Sequence, residues 1–168
     1  MPLIHKLIIL IAVCAPLTAY ALPEDNAAKM HITADSTLFN YKTGFNTYQG
    51  NVDVQQGGTR LKADKITTQS NLHHKMEEAI AYGSDKTPAD YWTVPKKGDL
   101  IFHAQANIIK FYPLKSLVML EGNVSVTQGD NSFHGATIIY NMKNQTISAP
   151  ANNQGRATII IQPTKIPS

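Results

Sequence analysis

Two stretches of strict alternation dominate the chain. In the first, Tyr48, Val52 and Val54 share one parity against Gln49, Asn51, Asp53 and Gln55; in the second, Val118, Leu120, Val124 and Val126 oppose Met119, Glu121, Asn123, Ser125 and Thr127. A period of two with one apolar face predicts half-buried β-strands. Gly50 and Gly122 stand inside these patterns and predict a bulge or a close backbone approach. Beyond the Gly57-Gly58 turn, Leu61 and Ala63 continue inward before the phase shifts at Asp64-Lys65-Ile66. Phe133 and Gly135, then Thr137-Ile138, repeat that shift, so a bend in the sheet is expected at equivalent places. Further strands are expected at 29–34, 38–41, 78–82, 89–94, 100–104, 107–112, 145–149 and 156–162, separated by turn residues. Helix is supported only by the composition of 71–81, where Leu72, Met76, Ala79 and Ile80 would make three turns at most. Pro88, Pro95 and Gly98 argue against regular structure through 84–98, read as a long, mobile crossover loop holding one strand near Tyr91 and Trp92. The fold class expected is all-β.

The two alternating stretches are copies of each other. Gly50-Asn51-Val52-Asp53-Val54-Gln55-Gln56-Gly57 returns 72 residues later as Gly122-Asn123-Val124-Ser125-Val126-Thr127-Gln128-Gly129. At the same offset, without a gap, residues 31–66 and 103–138 share ten identities in 36 positions, among them His31 with His103 and Phe39 with Phe111. One architectural unit is used twice.

The first residues change how much of the chain enters the fold. A basic start at His5 and Lys6, an apolar run over 7–17 and small residues at Ala19 and Ala21 predict a secretory signal peptide spanning 1–21. The run is well short of the roughly 20 residues of a membrane-spanning helix. Cys14 raises a lipoprotein reading, disfavoured by Val13 at the position that usually holds a small residue. Cleavage after Ala21 leaves a single domain over 22–168 without cysteine, which removes disulfides, thiol nucleophiles and zinc–thiolate sites. The formal charge of +3 falls to +2 without Lys6, too little to suggest nucleic acid. Charged residues make up 16% of the chain against about 25% typically, in keeping with β-structure whose outer face is neutral and polar.

The Gly-Asn-Val-x-Val-x-Gln-Gly string at 50–57, followed by Leu61-Lys62-Ala63-Asp64-Lys65, resembles the OstA-like family of periplasmic lipopolysaccharide-transport proteins. Tyr82-Gly83, then Pro88-Ala89-Asp90-Tyr91, is similar to that family's Tyr-Gly-x-Pro-Ala-x-Phe segment, with 84–87 lengthening the gap and Tyr91 in place of Phe. The resemblance implies a β-jelly roll open at one side, built from two repeats of antiparallel strands, whose inner face shelters the acyl chains of lipid A. It implies lipid contact at Met30, Ile32, Tyr91, Ile109 and Phe111, and Phe39 joins them as the repeat mate of Phe111. Tyr48, Val52, Val54, Leu61, Leu120, Val124, Val126 and Phe133 join that set because their parity turns them inward, where a dry core is the competing role. The resemblance also implies a bridge from inner to outer membrane. An inner-membrane-anchored partner would sit at the N-terminal edge and the periplasmic domain of the outer-membrane translocon at the C-terminal edge.

The terminal strands bear on that assembly. His31 and Thr33 in the first, and Thr158, Ile159, Ile160 and Ile161 in the last, lie on edges with little to blunt them, so head-to-tail assembly of copies is expected. An exported structural or adhesive β-protein assembling through the same edges is the alternative. No nucleophile elbow, paired-carboxylate cluster or phosphate loop points to an enzyme. His31, His73, His74, His103 and His134 lack a carboxylate at ligand spacing, so neither a metal nor any other cofactor is expected.

Overall fold

The computed structural model describes residues 28–94, 98–151 and 155–162; the expected signal peptide lies outside them. Twelve antiparallel strands form one continuous hydrogen-bonded sheet that folds over on itself. In chain order they are β1 Met30–Thr33, β2 Ser36–Asn40, β3 Phe45–Gln56, β4 Thr59–Ser70, β5 Met76–Tyr82, β6 Ala89–Thr93, β7 Phe102–Ala106, β8 Ile108–Tyr112, β9 Leu117–Gln128, β10 Asn131–Asn141, β11 Thr146–Ser148 and β12 Thr158–Ile160. A 3-10 turn, Pro113–Lys115, joins β8 to β9.

The four long strands β3, β4, β9 and β10 run through both layers of the roll. Their hairpin-proximal halves pair with β1, β6, β7 and β12, and their other halves pair with β2, β5, β8 and β11. The change of layer occurs at Gly50-Asn51 and Gly122-Asn123. Val52 pairs with Ala63 and Gln49 with Lys65, so Gly50 and Asn51 oppose Asp64 alone; in the second copy, Gly122 and Asn123 oppose Ala136 in the same way. All four bulge residues have left-handed backbone, at φ +80° and +45° in the first copy and +76° and +47° in the second. Glycine is required at the first bulge position for a second reason. A Cβ on Gly50 would strike the Asp35 carboxylate, and one on Gly122 would lie 3.0 Å from the Asn107 side chain.

The extra residue explains the phase shift in the sequence. Inward positions on β3 keep one parity through Tyr48, Val52 and Val54, whereas β4 turns Leu61, Ala63 and then Ile66 inward. The shift legible on β4 and β10 is thus caused by bulges on their partners, β3 and β9.

The repeat extends further than its identities. β1 to β6 and β7 to β12 have the same pairings: Ile32 faces Val54 as Ala104 faces Val126, and Leu61 faces Tyr91 as Phe133 faces Ile159. The strand expected at 89–94 is β6, which lies between β4 and β7. The expectation of a mobile loop is corrected for the described residues before it, which are pinned: Thr87 Oγ1 donates to Asp64 at 2.9 Å and the Ser84 N–H donates to the Thr87 carbonyl at 2.9 Å. The helical composition of 71–81 is overridden by β5, whose Ala79 and Ala81 are buried between the layers. The strand expected from residue 100 starts at Phe102, leaving Leu100 and Ile101 exposed.

Candidate lipid conduit and its open edges

The inner faces of the two layers meet in one apolar interior. Tyr48, Val52, Tyr91, Ile109, Leu120, Val124 and Val126 are buried in it, together with Ile66, Phe102, Val118, Ile138 and Tyr140. Phe102 from one layer stacks on Tyr140 from the other, with centroids 4.1 Å apart and planes at 14°. Ile32, Val54, Leu61, Phe111 and Phe133 are half-buried against this cluster. Met30 and Phe39 are exposed, at 41% and 47%, and both lie on the first two strands. The fourteen inward candidates therefore divide into a packed middle and an accessible set concentrated towards the ends.

The side of the roll opposite the bulges is the mouth, where side chains of the two layers meet. Gln145 Nε2, in the turn between β10 and β11, donates to Asp99 Oδ2 before β7 at 2.9 Å, and the Tyr91 hydroxyl reaches Met142 Sδ at 4.0 Å. Leu100 and Ile101 stand exposed beside Asp99.

The ends differ from the middle in one respect. Between the two repeats, β6 pairs with β7 and β5 with β8, which buries Ala89, Tyr91, Phe102, Ala104 and Ala106. The corresponding positions at the outer edges have no strand beside them among the described residues. Ile159, the counterpart of Tyr91, is 54% exposed where Tyr91 is 6% exposed, and Met30, the counterpart of the fully buried Phe102, is 41% exposed. His31, Thr33, Thr158, Ile160 and Ile161 are exposed as well.

A polar clasp marks the junction between repeats. The Asp85 carboxylate of the first repeat accepts from the side-chain amides of Asn107, at 2.7 Å, and Asn123, at 2.5 Å, in the second. The Gly83 N–H also donates to the Asn107 carbonyl at 2.8 Å. In the first repeat Asp35 replaces Asn107 and itself accepts from Asn51 at 2.9 Å, so that end closes its own clasp. Sequence reasoning passed over Asp35, Asp85 and Asn107; the Asp-for-Asn exchange at the 72-residue offset was the available signal.

The outer face is polar and paired. Arg60 Nε donates to Asp53 Oδ1 at 2.9 Å, Lys110 Nζ lies 2.8 Å from Glu121, and His103 Nε2 lies 2.6 Å from Asp90 Oδ1 while its ring stacks on Trp92 at 4.9 Å. The Arg60 guanidinium holds the Asp53 carboxyl below its ordinary value, and the hydrogen bond to Glu121 raises the Lys110 ammonium. Among the described residues, no three His, Cys, Asp or Glu side chains are grouped to hold a metal ion.

The described residues thus form an open antiparallel β-roll of two equivalent units, apolar inside, polar outside and with an unpaired strand edge at each end. The family model described as LptA/(LptD N-terminal domain) LPS transport protein matches residues 31–146. The lipopolysaccharide export system protein LptH of Pseudomonas aeruginosa is 30% identical over 140 residues, covering 83% of this chain and 75% of the relative. The LptA of Haemophilus influenzae is 26% identical over 170 residues, covering 99% of this chain and 96% of the relative. The crystal structure of P. aeruginosa LptH, described as the LptA homologous periplasmic component of the lipopolysaccharide transport device, superposes with a TM-score of 0.74. That match has 27% identity and covers 84% of this chain and all of the other. The chain belongs to the LptA/LptD N-terminal-domain family, a family of transport proteins rather than enzymes.

Proposed function

We propose that this protein binds lipopolysaccharide in the periplasm, shelters its acyl chains against the inner face of the roll and forms one segment of a bridge between the membranes. An acyl chain of about a dozen carbons removes roughly ten CH2 groups from water when covered, worth about 8 kcal/mol at about 0.8 kcal/mol each. Lipid therefore crosses water only under continuous apolar cover. The accessible inward residues, Met30, Ile32, Phe39, Val54, Leu61, Phe111 and Phe133, receive the chain first. The buried ones, Tyr48, Val52, Tyr91, Ile109, Leu120, Val124 and Val126, meet it as the layers part at the mouth.

The observation that carries the bridge is the internal junction, which serves as a template for the external one. If β12 of one copy meets β1 of the next as β6 meets β7, then Ala157 faces Ala34, Thr158 faces Thr33, Ile159 faces Ile32, Ile160 faces His31 and Ile161 faces Met30. Like meets like at the first three positions, and Ile159 and Ile32 continue the apolar wall from one copy to the next. The same N-terminal edge suits a strand of an inner-membrane-anchored partner, and the C-terminal edge suits a β-domain of the outer-membrane translocon. Lipid-free protein should gain thermal stability on adding lipopolysaccharide. Ile32→Glu or Phe111→Glu should abolish that gain while the free protein stays folded; a gain retained in both folded variants would remove these residues from the conduit.

A further inference from the structure

The apolar interior holds one polar atom with no protein partner. Among the described residues, two buried side-chain oxygens lack a hydrogen-bond partner: Asn107 Oδ1, at the polar clasp, and the Tyr140 hydroxyl. Tyr140 is fully buried, and its ring is held by the stack on Phe102. A buried hydroxyl without a partner costs about 1–3 kcal/mol relative to one that is paired, so the position calls for a reason. Phenylalanine would fill the same space and stack on Phe102 without that cost.

The hydroxyl's place in the fold points to one. Tyr140 is the penultimate residue of β10, two positions before Met142 in the turn that faces the mouth. Asp99 lies at the mouth on the opposite layer, held by Gln145, and is near enough for its charge to act on the phenol. The hydroxyl thus belongs to the zone just inside the mouth, beneath the side-chain links between the layers. Burial, reinforced by the Asp99 charge, raises the phenol's pKa, so it stays protonated at neutral pH and is available as a donor. Only a ligand that enters between the layers can reach it, and such a ligand must otherwise be apolar.

Resting on the reading of the roll as a lipid carrier, we propose that Tyr140 is a hydrogen-bonding subsite for an acyl chain that carries an oxygen close to its head group. A chain hydroxyl or linkage carbonyl supplies the acceptor, while the rest of the chain lies against the Phe102 side of the interior. The subsite fixes the depth to which the chain enters, because an apolar wall alone allows a chain to slide at little cost.

The test compares tetradecanoate, 3-hydroxytetradecanoate and an isomer hydroxylated near the methyl end, binding by calorimetry to the lipid-free chain and to its Tyr140→Phe variant. One neutral hydrogen bond is worth about 1 kcal/mol, so the native chain should bind the 3-hydroxy acid about fivefold more tightly than tetradecanoate and show no such gain for the far isomer. Tyr140→Phe should bind tetradecanoate as before and lose the preference. Its melting temperature without lipid should be unchanged or higher, because an unpaired hydroxyl has been removed. Equal affinity of the native chain for all three acids, or a preference retained by Tyr140→Phe, overturns the subsite and leaves the carrier reading standing. A lower melting temperature of the lipid-free variant also overturns it, since the hydroxyl would then be satisfied without lipid. No binding of any acid or of lipopolysaccharide overturns both.

Discussion

Single residues set the geometry on which everything else depends. Gly122 is held at φ +76° beside Asn107, so Gly122→Ala adds left-handed strain and a tight contact with the Asn107 side chain. A loss of about 1–3 kcal/mol of stability is expected, measured by urea denaturation. The Asp53–Arg60 pair is a smaller matter, because Arg60 is 42% exposed and water screens the charge. Its sign is nevertheless defined. Asp53 is held below its ordinary value in the folded state, so its contribution is present above the unfolded carboxylate range and is lost as pH falls through the folded value. Arg60→Gln should therefore destabilise slightly at pH 7, and the difference from the parent should vanish on acidification below the usual carboxylate range. A difference that persisted at low pH would assign the effect to packing of the Arg60 stem.

At the level of elements, the repeat was legible only in part. Residues 31–66 and 103–138 align at one offset, and the alternation around Val52 and Val124 marks the strands directly. β5, β6, β11 and β12 belong to the same repeat yet escaped notice, because the second hairpin is shorter. Gln69 and its partner Glu78 are nine positions apart, whereas Asn141 and Thr146 are five apart, which moves the offset from 72 to 68. Beyond that point Ala81 with Ala149 and Ala89 with Ala157 are among the few identities left, while Tyr91 has become Ile159. The substitutions follow from position: Tyr91 lies inside a covalent junction, and Ile159 lies on an open edge. The accessible part of the conduit could not be separated from its packed part by parity, since Val124 and Phe111 both point inward and differ only in what covers them. The edge register is testable directly. Mixing a copy bearing Thr33→Cys with one bearing Thr158→Cys, both starting at residue 22, should give a disulfide-linked dimer under mild oxidation. Ala34→Cys in place of Thr33→Cys should give little, because a shift of one residue turns the side chain to the other face. Equal yields would reject the register.

At the level of the whole molecule, the proposed bridge makes the roll one section of a longer structure. Its middle junction is complete, with strands on both sides and the Asp85 clasp closed; its two ends present half of such a junction each. On that proposal, each added copy or partner would bury apolar edge positions and extend the inner wall. The middle is packed, with Phe102 against Tyr140, so the proposed conduit works only if the layers part locally and close again behind the lipid. That motion opposes the side-chain links at the mouth. Asp99→Ala removes the link to Gln145 and should speed lipopolysaccharide uptake without weakening the fold by more than a few tenths of a kcal/mol, as followed by stopped-flow fluorescence and denaturation. An unchanged uptake rate would place the rate-limiting opening elsewhere.

The central claim is that lipid travels on the inner face. Phe111 and Tyr112 are adjacent on β8, with Phe111 packed against the interior cluster and Tyr112 on the opposite face. Replacing each in turn with a photo-crosslinking phenylalanine derivative, in cells that produce lipopolysaccharide, tests the claim most directly. Position 111 should yield a lipopolysaccharide adduct and position 112 should not; adducts of equal strength at both, or at 112 alone, would contradict it.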